Sequence, residues 1–119
     1  MNEQSFKMAQ IAVNCLEDKK AASVKVIDIS NISILGDYFI IAEGSNRNQI
    51  QAMADHVEEN LGKAGFVPKN IEGYNNANWV LMDYRDIIIH IFDPDTRSYY
   101  DLERIWRDGV SVDVSEFRS

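Results

Sequence analysis

Apolar and polar residues alternate along this chain with two different periods, and the switches between them mark out its elements. From about Ser5 to Ala22, Phe6, Ala9, Ala12/Val13 and Leu16 recur at helical spacing, and Glu17, Asp18, Lys19 and Lys20 close the last turns. That spacing predicts an amphipathic helix. Val24–Ile29 alternates as a strand with one wetter face. Tyr38-Phe39-Ile40-Ile41-Ala42 is apolar on both faces and predicts a central strand, with Leu35-Gly36-Asp37 as the break before it. A second helix opens at Asn46, with Gln49 at capping-box spacing, and carries the stripe Ile50, Met53, Ala54, Val57 and Leu61. Gly62 and Gly65 stop it, and Pro68 prevents continuation.

Phe66-Val67 leads into a further strand ending near Glu72-Gly73, and Tyr74–Asn78 forms a polar loop. Trp79–Tyr84 and Ile87–Asp93 both read as strands, and the two residues between them, Arg85-Asp86, imply an antiparallel hairpin. Counting outward from that turn pairs Tyr84 with Ile87, Asp83 with Ile88, Met82 with Ile89, Leu81 with His90, Val80 with Ile91 and Trp79 with Phe92. One face then carries Val80, Met82, Tyr84, Ile87, Ile89 and Ile91 and belongs against helices. The other carries Trp79, Leu81, Asp83, Ile88, His90 and Phe92, a mixture of aromatics, a carboxylate and an imidazole that suits recognition. Asp93-Pro94-Asp95 ends the hairpin, and Asp95 or Thr96 is expected to cap a third helix through about Arg107, with Tyr99, Leu102, Ile105 and Trp106 as its stripe. The order is α-β-β-α-β-β-β-α, an α/β fold with a mixed β-sheet and flanking helices. Residues 1–109 form its single domain, and Val110–Ser119 is either a loose tail or a strand that needs a partner.

Composition narrows the function. With 119 residues, 45% hydrophobic and 26% charged, the chain has room for one domain and an ordinary core and is not disordered. Its formal charge of −7 is spread over both halves. Phosphate backbones repel such a chain, which argues against direct sequence-specific nucleic-acid binding and for a basic protein as partner. The single cysteine, Cys15, rules out an internal disulfide and a cysteine-rich metal site. Met1–Gln10 holds polar residues where a signal peptide needs an apolar region, and the apolar runs are far shorter than the ~20 residues of a membrane span. The expectation is a soluble, cytoplasmic protein with no membrane partner.

One constellation suggests catalysis. Asp93 and Asp95 after an apolar strand, with Gly44-Ser45 before a helix, could hold a divalent metal and a phosphate, as in a metal-dependent nucleotidyl or phosphoryl transferase. The plainer account is a strand-to-helix turn in which one Asp caps and Pro94 stands at or near the first helical position. The plainer account is favoured, because no third carboxylate completes a cage and the Gly-Ser turn lies far upstream. The expectation is therefore no enzyme, no cofactor and no metal. His56 reads as a solvated helix residue, His90 as either a satisfied core histidine or a contact, and Cys15 as packed and inert. Tyr100, Asp101 and Glu103 lie off the third helix's stripe and suit capture of a cationic side chain. A self-associating module, forming a homodimer through the aromatic face, is a further possibility.

Taken together, Asp37–Ala42, Gly44-Ser45-Asn46-Arg47, Glu72-Gly73-Tyr74, Trp79–Tyr84, His90-Ile91-Phe92 and Tyr100–Trp106 fall in an order and spacing that resembles the Iojap family of ribosomal silencing factors (RsfS). The likeness covers about residues 5–107. It implies a fold related to nucleotidyltransferases without their catalytic set. It also implies a translation repressor that binds the large ribosomal subunit through its fourteenth protein, at the face where the small subunit docks. Such a protein blocks subunit joining when nutrients are scarce, and mitochondrial and plastid relatives act in large-subunit biogenesis. The contact set implied by the resemblance and the hairpin together is Tyr74, Trp79, Leu81, Asp83, Tyr84, His90, Phe92, Tyr100 and Asp101.

Overall fold

The computed structural model describes residues 3–31, 36–99 and 109–118, with backbone alone at 97–99. The first amphipathic stripe forms α1, Glu3–Asp18. It ends short of Ala22 because Lys20 takes a left-handed φ of 63°, which turns the chain while the Ala21 amide closes onto the Leu16 carbonyl at 3.2 Å. Two strands follow, β1 (Ser23–Asp28) and β2 (Tyr38–Glu43), paired antiparallel. Helix α2, Arg47–Lys63, buries the expected stripe of Ile50, Met53, Ala54, Val57 and Leu61. Asn46 caps it by accepting from the Gln49 amide at 2.9 Å, while Gln49 Oε1 accepts from the Ser45 amide at 2.6 Å.

The C-terminus of α2 corrects the next expectation. Gly65, at φ 93°, follows the helix, and the Phe66 amide reaches back to the Leu61 carbonyl at 2.8 Å. Phe66 therefore packs onto the core as part of the helix stop, and β3 is only Asn70–Glu72. Strands β4 (Trp79–Asp83) and β5 (Ile87–Phe92) form the hairpin in the register counted from the sequence, with Trp79 opposite Phe92 and Leu81 opposite His90. Arg85 accommodates the tight turn at φ 71°. A short helix, α3, covers Pro94–Tyr99. The rest of the expected third helix, to Arg107, lies outside the described residues.

The sheet order is β3-β4-β5-β2-β1-β6. Among the described residues only β2 and β5 pair in parallel, joined through a crossover that contains α2. Helices α1 and α2 lie side by side on one face, above Val26, Ile40, Val80, Met82, Ile87, Ile89 and Ile91, all 1% exposed or less. The opposite face holds a second, smaller cluster of Ile27, Ile29, Ile41 and Phe92, with Phe39 and Trp79 against it.

Val110–Phe117, expected as either a loose tail or a strand in need of a partner, is built into the fold. Val110–Val112 forms β6, which pairs antiparallel with the outer edge of β1, and a 3-10 turn at Val114–Phe117 carries the Phe117 side chain to complete burial in the main core. The strand found its partner on the far side of the sheet, which no local pattern could indicate.

Candidate functional site

The face of the sheet away from α1 and α2 carries a contiguous aromatic group. Because side chains alternate along strands, the β4–β5 register sets Trp79 beside Phe92 and diagonal to His90. Ring centroids are 5.2 Å apart for Trp79 and Phe92, 5.9 Å for Trp79 and His90, and 5.9 Å for the stacked pair His90 and Phe92. Phe39, from β2, meets His90 edge-on at 5.3 Å. The Trp79 indole N–H donates to His90 Nδ1 at 2.9 Å. His90 is 9% exposed, and burial pushes its pKa down to about 4, so the ring is neutral at physiological pH.

The group has a buried floor and an accessible rim. Phe92, His90 and Ile88 on β5 are 0%, 9% and 9% exposed, whereas Trp79, Leu81 and Asp83 on β4 are half-buried. Gly73 holds the approach to Trp79. Its φ is 78°, and a Cβ there would lie 2.1 Å from the Trp79 carbonyl oxygen, so only glycine lets the preceding loop pass this strand. Asp83 Oδ1 accepts from the Arg85 amide at 2.8 Å and holds the hairpin turn.

Of the contact set expected from the sequence, Trp79, Leu81, Asp83, His90 and Phe92 share this face. Tyr84 does not. It follows the alternation onto the helix-covered side, is 4% exposed and sits in the main core. Tyr74 also lies elsewhere, against the main core, with its hydroxyl donating to Asp55 Oδ2 of α2 at 3.0 Å. Tyr100 and Asp101 lie outside the described residues. Phe39 was missed, since only the parallel pairing of β2 with β5 reveals that the odd residues of β2 share a face with His90.

The catalytic constellation is occupied with structural work. Asp93 Oδ1 accepts from the Thr96 amide at 2.7 Å, so Asp93, not Asp95 or Thr96, caps the third helix, with Pro94 as its first residue. At the Gly44-Ser45 turn, the Gly44 amide donates to the Phe92 carbonyl at 2.9 Å and the Ser45 amide to Gln49 Oε1. Those are amides a phosphate would need. Among the described residues no three of His, Cys, Asp and Glu are grouped to hold a metal, and no helix is long and apolar enough to cross a membrane. His56 is tied into α2's surface by Asn60 and stands 3.4 Å from Asp18. Cys15 is buried, which raises its thiol to about 11 and keeps it protonated.

Comparisons with known proteins converge. A family model described as "Ribosomal silencing factor during starvation" matches residues 2–119, which extends the likeness through β6 and the C-terminal turn, beyond the expected 5–107. The ribosomal silencing factor RsfS of Halalkalibacterium halodurans is 38% identical over 108 residues, covering 91% of this chain and 92% of that protein. A crystal structure of a Chromobacterium violaceum protein superposes with a TM-score of 0.83 at 33% identity, covering 90% of this chain and 88% of the other. A mouse protein named for mitochondrial assembly of the ribosomal large subunit is 28% identical over 79% of this chain and 42% of its own length.

Proposed function

The chain belongs to the ribosomal silencing factor family, and we propose that it silences translation by occupying the large ribosomal subunit at the surface where the small subunit docks. Membership supports reading it as a ribosome-associated regulator of translation that acts on the large subunit. The finer reading is that it docks on the fourteenth protein of that subunit and excludes the small subunit by bulk, with no bond made or broken.

The observation that carries this reading is the half-buried rim of Trp79, Leu81 and Asp83 over its aromatic floor. An indole on a rigid sheet is a residue type that anchors protein interfaces, the leucine beside it adds apolar contact area, and an adjacent carboxylate pairs with a cation on a basic partner. A net charge of −7 favours approach to a basic ribosomal protein over approach to bare RNA.

Sucrose-gradient sedimentation of purified large subunits with this protein, with and without small subunits, tests it. Co-sedimentation with the large subunit together with fewer complete ribosomes is the expected result. Co-sedimentation with unimpaired joining would replace occlusion by an assembly role, as the mouse relative's name describes for that protein. Absence of association with the large subunit would overturn the proposal.

A further inference from the structure

We propose that His90 is a positioning residue for Trp79: its Nδ1 fixes the indole of the rim in one orientation before any partner arrives. This inference rests on the docking reading above. The geometry that motivates it is a chain of constraints running from the core outward. Strand β5 is buried along its whole length, so the His90 backbone is held firmly. The His90 ring is stacked on Phe92 at an interplanar angle of 8° and met edge-on by Phe39. These contacts hold the plane of the ring, and the bond to Trp79 then selects which nitrogen carries the proton. An indole N–H is a donor and never an acceptor. The 2.9 Å bond therefore requires an unprotonated Nδ1, which puts the proton of the neutral ring on Nε2.

Trp79 gains a single orientation from this arrangement. Its ring lies 5.2 Å from Phe92 and its N–H is committed to His90. A half-buried indole whose N–H lacks this acceptor is less tightly oriented, and the freedom it gains would be lost on docking. Fixing it in the free protein removes the cost from association, by about tenfold in affinity for one such side chain. A buried histidine that served packing alone would be replaceable by an apolar side chain with no effect on binding.

The test compares His90→Leu, His90→Asn and Trp79→Ala for binding to purified large subunits. It also follows the Trp79 indole N–H resonance by NMR, assigned from its loss in Trp79→Phe. Leucine fills the volume without an acceptor, and an asparagine oxygen can stand where Nδ1 stood. The expected result is a folded His90→Leu protein with about tenfold weaker binding and an upfield-shifted indole proton, with both restored towards wild type by His90→Asn. Loss of binding in Trp79→Ala with none in a folded His90→Leu overturns the positioning role and leaves the docking reading standing. Full binding by Trp79→Ala overturns the docking surface and the positioning role together. The tautomer is measured on the unaltered protein, so a variant that fails to fold does not block the test. Nitrogen shifts showing a protonated Nδ1 at neutral pH would overturn the inference directly.

Discussion

The rings of Phe6 and Phe117 lie 4.9 Å apart, from the first helix and the last turn of the chain. Tyr38 meets Phe117 edge-on at 5.5 Å, and Asn14 Nδ2 donates to the Phe117 carbonyl at 3.0 Å. Arg118 adds a forked pair to Glu17, the shortest contact being 2.8 Å. The C-terminal segment thus closes the main core over α1 as well as extending the sheet.

Removing that closure should be costly, and unequally so for neighbouring residues. Phe117→Ala empties a fully buried site and is expected to lose about 3–5 kcal/mol in urea denaturation. Arg118→Ala removes only an ion pair at the surface and should leave the midpoint nearly unchanged. Equal effects from both would show that the segment does not pack as described.

Trp79→Ala should weaken binding to large subunits by about 2 kcal/mol or more, because a half-buried rim tryptophan over a buried floor has the character of an interface anchor. Circular dichroism and the melting temperature should show a folded protein. Unchanged co-sedimentation of such a protein would remove Trp79 from the contact.

Burial of His90 makes stability depend on pH in a defined direction. The folded-state value, about 4, lies below the ordinary 6.5, so between those limits the unfolded chain binds more protons. Stability from keeping the ring neutral is complete above about pH 6.5 and is lost as pH falls towards 4. Lowering the pH from about 7 to 5 should cost on the order of 2 kcal/mol through this residue. Urea midpoints at the two pH values should converge in His90→Leu relative to wild type. An identical pH response in both would contradict the assignment.

Tyr84 offers the converse test. Its hydroxyl is buried without a hydrogen-bond partner among the described residues, and burial pushes its pKa up to about 12. Tyr84→Phe removes a desolvated polar atom and nothing else, so stability should hold or rise by up to about 1 kcal/mol. Association with large subunits should not change. Weakened association in a protein of undiminished stability would return Tyr84 to the contact surface.

Much of this molecule is decided by local pattern. The stripe Ile50, Met53, Ala54, Val57 and Leu61 becomes the buried face of α2 because a 3.6-residue period has one way to face a core. The two-residue connection Arg85-Asp86 sets the β4–β5 register, and the register sorts Trp79, Leu81, Asp83, His90 and Phe92 from Val80, Met82 and Tyr84. The same alternation already argued against Tyr84 as a contact, and the structure agrees with the alternation. What the sequence by itself determined was therefore the type of α1, β1, β2, α2, β4 and β5 and the composition of their faces, since those depend on neighbours a few residues away.

Only the tertiary structure decided which faces meet. The parallel pairing of β2 with β5 brings Phe39 to His90, the pairing of β6 with β1 turns an apparent tail into part of the sheet, and Tyr74 goes to Asp55 on α2 instead of to Trp79. These contacts join residues far apart in sequence, and each is chosen by which apolar surface remains uncovered once the hairpin and helices have formed. No periodicity encodes that choice, because it is settled by burial across the whole sheet.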